Sequence, residues 1–160
     1  MKLHALQLAI AETLNRDAFL AQHNVAVLAE NKGDVIKTVE AEVARLGCCA
    51  LVLTPHFKSA ATDTLRPLGN ATAVVQVFES PLLNRGKANR ATALDAAERV
   101  ACALHRRALP GVGVLVFESL AGNAAGGTLD YAVAFTIKLD LDGSDVSAGP
   151  DGSHPPKGTP

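Results

Sequence analysis

The sequence predicts an α+β domain: a ferredoxin-like antiparallel sheet with two helices on one face, plus an N-terminal helix and an extra C-terminal strand. Three observations lead there. Tyr131, Val133, Phe135, Ile137, Leu139 and Leu141 alternate strictly with Ala132, Ala134, Thr136, Lys138 and Asp140. A period of two over that length belongs to a strand with one face in a core and one toward solvent. Segments of helical period start on capping residues. The order of elements, after a first helix, is strand–helix–strand–strand–helix–strand–strand, a β-α-β-β-α-β unit with one strand added.

Leu3, Leu6, Ile10 and Leu14 fall at helical spacing and predict a helix over 3–14, with a short second turn from Asp17 to Gln22. Val25 to Ala29 is a brief apolar run read as a buried strand. Asp34 is a natural N-cap for a helix carrying Val35, Ile36, Val39, Val43 and Leu46, and Gly47 ends it. Cys49 to Thr54 reads as the next strand, stopped by Pro55. Residues 56–70 read as loop. Ala73 to Glu79 has apolar residues on both faces and reads as a central strand.

A basic connection, Ser80 to Arg90, leads to Thr92 and Asp95, which form the pattern of a capping box. The helix behind it shows Leu94, Ala97, Ala101 and Leu104 on one face and runs to about Arg107, before Pro110-Gly111. Val112 to Phe117 is the fourth strand, Gly122 to Gly127 a Gly/Ala-rich loop, and Leu129 to Leu141 the closing hairpin partner. The expected division is a single domain over 1–142 and a flexible Pro/Gly-rich tail over 143–160. The tail holds four of the eight prolines and too little apolar surface to order itself.

A formal charge of −1 argues against a dedicated nucleic-acid binder, and no sequence-specific nucleic acid is expected as a partner. No apolar run reaches the roughly 18 residues that a membrane span needs, so no membrane partner is expected either. Cys48, Cys49 and Cys102 make an odd set with two neighbours, unsuited to a disulfide framework, and all three read as buried free thiols. Among His4, His23, His56, His105 and His154, none has the close spacing of a zinc ligand pair. No phosphate loop, nucleophile elbow or dinucleotide fingerprint occurs. The expectation is therefore no catalytic residue, no metal and no cofactor. His56, at a strand end behind Thr54-Pro55, is the position an enzyme reading would use.

Charge is the more informative pattern. Arg85 to Arg107 holds six basic residues against Asp95 and Glu98, whereas Asp130 to Asp142 holds three acids against Lys138. One reading is a solvated helix face with ordinary strand-end charges, and another is a phosphate held by Arg85, Lys87 and Arg90 at a helix N-terminus; the sharper reading assigns Arg85, Lys87 and Arg90 to one side of an interface between copies, and Asp130, Asp140 and Asp142 to the other. Opposite patches on different surfaces give a head-to-tail contact, which closes into rings.

The segments Val75-Gln76-Val77-Phe78-Glu79-Ser80, the helix from Thr92, and the hairpin Val114 to Glu118 with Leu129 to Ile137 together resemble the tail-terminator and tail-completion (neck) proteins of long-tailed bacteriophages. The likeness covers roughly residues 20–142 in element order and texture. It implies a structural virion or prophage protein without enzyme activity. Such a protein acts as a homo-oligomeric ring, commonly a hexamer. It caps the tail tube and joins the tail to the head, with the tail tube protein and a head-completion or connector protein as partners. It implies assembly in the host bacterial cytoplasm and a place in the tail or neck of the virion. The alternative is a ferredoxin-like ligand-binding or regulatory domain that dimerises through its sheet.

Overall fold

A computed structural model describes residues 2–30, 33–60, 66–85, 90–125 and 127–141. The expected tail, together with Lys87 and Asp142, lies outside the described residues. Helices α1 (Lys2–Asn15) and α2 (Ala18–Gln22) open the chain, followed by β1 (Ala26–Ala29), α3 (Val35–Leu46), β2 (Cys48–Val52), β3 (His56–Ser59) and β4 (Leu68–Glu79). Then come α4 (Pro81–Asn84), α5 (Ala93–Leu104), β5 (Ala108–Leu109), β6 (Gly113–Val114), β7 (Val116–Ala125) and β8 (Thr128–Asp140).

The α+β class holds. The main sheet runs β1-β2-β4-β8-β7, with β3 paired to β4 beyond the end of β2. Strand order departs from the ferredoxin-like expectation. β1 and β2 are direct parallel neighbours, whereas the split unit places another strand between them. The helices also divide differently. α1 and α5 pack on one face of the sheet over Ala50, Val52, Ala73, Val75, Val77, Val133, Phe135 and Ile137. α3 lies on the opposite face, where Val39 packs with Cys49 and Leu51. Alternation along β2 makes this possible, because all five of its residues are buried and each parity has its own cover.

Local signals set most boundaries. Asp34 caps α3 through the Lys37 amide, and Gly47 closes that helix in the left-handed region at φ +89°. Thr92 and Asp95 form the reciprocal capping box at α5. Asp17 caps α2 by accepting from the Phe19 and Leu20 amides, and also takes a two-point contact from Arg99 of α5, closest at 2.7 Å. Gln7, buried in α1, donates to the Glu30 and Val52 carbonyls and ties α1 to the ends of β1 and β2.

Four expectations are corrected. The segment 56–70 contains β3 and the first residues of β4. β3 can lie against β4 because Gly69 has no Cβ; a Cβ there would sit 2.1 Å from the Lys58 carbonyl oxygen. The Gly/Ala stretch from Gly122 belongs to β7 as far as Ala125. Tyr131 lies opposite Gly122 and its ring fills the space of the missing side chain, so the glycine pairs rather than loops. The expected fourth strand is divided: β6 pairs with β5 across the Pro110-Gly111 turn, and β7 joins the main sheet. Finally, α5 ends at Leu104 and buries Ala93, Ala96, Ala97, Val100 and Leu104, while Leu94 and Cys102 are exposed.

Candidate interaction surface

α3 covers the β1–β2 margin of its sheet face, with Phe78 of β4 packed against its edge, and no described helix is packed over the rest of that face on β4, β8 and β7. The strand registers place its residues in rows. At one end Lys58, Asn70 and Lys138 stand abreast on β3, β4 and β8. The next row is His56, Thr72, Thr136 and Val116. Behind it Val74, Ala134 and Ser119 align, then Gln76, Ala132 and Ala121, then Phe78, Asp130 and Asn123. The middle of this face is a floor of small side chains, all half-buried or exposed. One end is basic. The other carries Asp130, whose carboxylate accepts from Gln76 at 3.1 Å.

The structure separates the acids assigned to one patch. Asp130 and Asp140 are ten residues apart on β8, about 33 Å at the rise of a strand. Asp140 already has basic company: its backbone oxygen accepts from Lys2 at 2.6 Å, and Arg66 lies 3.8 Å from its carboxylate. The basic connection, by contrast, follows the C-terminal end of β4, the end that pairs with Leu129 and Asp130. Arg85 is exposed at the end of α4, with no ion pair among the described residues. Arg90 is half-buried and its Nη2 donates to the Leu83 carbonyl at 3.0 Å, so it braces the turn that holds α4.

That turn lies within the basic connection read from the sequence, but the exposure of its leucines was not expected. Leu82 is 76% exposed and Leu83 46%, unusual for leucine beside a buried network. The network fixes them in place. Glu79, buried at the end of β4, accepts from the Asn84 side chain and from the Ala93 amide, the latter at 2.7 Å. Asn84 also donates to the Ala91 carbonyl. A buried carboxylate is tolerable only when so satisfied, and here it sits at the N-terminus of α5, where the helix dipole favours it.

The described residues hold no group of three His, Cys, Asp or Glu side chains placed to bind a metal ion. Burial, with Glu79 and Cys49 adding repulsion, pushes the Cys48 thiol up to about 12; burial and Glu42 do the same for Cys49. At neutral pH neither supplies the thiolate that nucleophilic chemistry requires. His56 is exposed in the row with Thr72.

This arrangement of helices and sheet is shared with a known assembly. The chain is similar to a chain of a solved structure described as the virion of a native gene transfer agent particle, with a TM-score of 0.62 and 22% identity, over 87% of this chain and 97% of that one. The likeness establishes the fold. Comparison with protein-family models and with curated proteins returns no match. No described helix is long and apolar enough to cross a membrane.

Proposed function

We propose that this protein is a structural component of a phage-like virion. In this reading it works through contact surfaces and carries out no reaction. Copies join head to tail into a ring that caps the tail tube and forms the connection between tail and head. The ring then contacts the tube protein on one side and a head-completion or connector protein on the other.

The observation that carries this reading is the extent of the fold match, which takes in nearly the whole of a chain from a gene transfer agent virion. The bare sheet face supports it, because a stretch of small and half-buried residues left uncovered by its own helices is what a subunit contact needs. Charge of both signs is available for such a contact: Arg85 is exposed with no ion pair among the described residues, and the Asp130 carboxylate accepts from Gln76. The parallel neighbours β1 and β2 argue against the ferredoxin-like regulatory alternative.

Purified protein is expected to form rings in negative-stain micrographs, alone or on added tail tubes. High salt is expected to loosen them, since exposed ion pairs are screened. A protein that stays monomeric over the whole accessible concentration range, and that does not bind tail tubes, would overturn the proposal.

A further inference from the structure

We infer that the ring contact is made by the α4 turn of one copy seated on the bare sheet face of the next. This inference rests on the ring reading and names the two surfaces that meet. The α4 turn carries two exposed leucines, Leu82 and Leu83, beside exposed Arg85, which has no ion pair among the described residues. It is short, and it is held rigid by the Glu79–Asn84 bond beneath it and by Arg90 on the Leu83 carbonyl. The bare face offers the complement. Val74, Ala132 and Ala134 leave a shallow apolar floor, and Asp130 borders it with only Gln76 as a partner among the described residues. Two leucines on that floor bring a guanidinium toward that carboxylate, so apolar and charged complementarity both specify a second copy.

The contact is heterologous, because knob and floor are different surfaces of each copy. That property gives the test. Leu82→Asp removes the knob and Ala134→Arg fills the floor. Each variant alone is expected to remain monomeric by mass photometry, with a wild-type thermal melt. Mixed together they are expected to give one-to-one dimers and nothing larger, since each pair retains one intact knob and one intact floor. Arg85→Glu is expected to raise the assembly midpoint concentration about tenfold, and Asp130→Arg added to it to restore assembly. A disulfide is expected between Leu82→Cys on one copy and Ala134→Cys on another, in a Cys102→Ala background, which keeps the inference testable if a charged variant fails to fold.

Rings that persist in Leu82→Asp overturn the inference and leave the ring reading standing. So do rings that persist in Ala134→Arg, or a mixture of the two variants that forms no dimers. A wild-type protein that forms no oligomer at all, and binds no tube, removes the ring reading itself.

Discussion

The two faces of the sheet are built from the same strands and differ in nearly every property. On the face under α1 and α5, β4 and β8 present Ala71, Ala73, Val75, Val77, Val133, Phe135 and Ile137, all essentially inaccessible to solvent. On the other face the alternate residues, Thr72, Val74, Gln76, Ala132, Ala134 and Thr136, are half-buried, and all but Gln76 are small or β-branched. One face therefore holds the larger core, and the other has a small buried cluster only at its β2 margin. The difference follows from where α3 sits. It covers Cys49 and Leu51 on β2, with Phe78 of β4 at the edge of that cluster.

Substitutions across one strand make that contrast measurable. Phe135→Ala, which removes the largest fully buried side chain and its edge-on contact with Phe117, is expected to cost about 3–5 kcal/mol in a denaturant melt. Its neighbour Ala134→Ser is expected to change stability by less than about 0.5 kcal/mol. Equal losses at the two positions would mean that both faces are core. Next in size is Glu79→Ala, which leaves the Asn84 side chain and the Ala93 amide without their buried acceptor. The expected loss is about 1–3 kcal/mol, and a neutral result would show that water replaces the carboxylate.

Asp17→Asn follows, at up to about 1 kcal/mol, since asparagine can keep the cap and Arg99 is 43% exposed, so that water screens part of the pair. Burial works to raise the Asp17 carboxyl, but the Arg99 guanidinium and the Leu20 and Phe19 amides outweigh it and hold the carboxyl below its ordinary value. Stability from this group is therefore complete above about pH 4, the unfolded value, and is lost as pH falls through the lower folded value. The variant should lack that part of the acid-side decline in a melt series from pH 6 to pH 2. The smallest effect belongs to the bare face: Lys138→Glu should shift stability by less than about 0.5 kcal/mol while altering the salt dependence of assembly. A large loss of stability there would place Lys138 in the fold rather than on a contact surface.

Much of the secondary structure was legible because its causes are local. The Asp34 and Thr92 caps, the Gly47 terminus and the alternation from Tyr131 to Leu141 each depend on residues within a turn or a strand of one another. Errors cluster where the cause is remote. Leu94 looked like the buried face of α5 because it is large, yet α5 turns Ala93, Ala96 and Val100 inward, and alanine carries little hydrophobic signal. Gly122 looked like a loop residue until Tyr131, nine positions later, lay over it. Of the charges assigned to the interface, Arg90 braces its own chain through the Leu83 carbonyl and Asp140 lies beside Lys2 and Arg66, contacts that no local pattern shows. The exposed leucines of α4 were invisible, since exposure is a property of what fails to cover a residue.

By itself the amino-acid order determined which stretches are helix or strand, where most of them end, and that Phe135 and its alternate neighbours face a core. Hydrogen-bond caps and side-chain periodicity act over a few residues, so they can be read along a chain. Only the tertiary structure decided that β1 and β2 lie side by side, that α3 crosses to the far face, and that the strip over β4, β8 and β7 stays bare. Those outcomes depend on which apolar surfaces meet across tens of residues, and nothing in a local pattern ranks one such pairing over another.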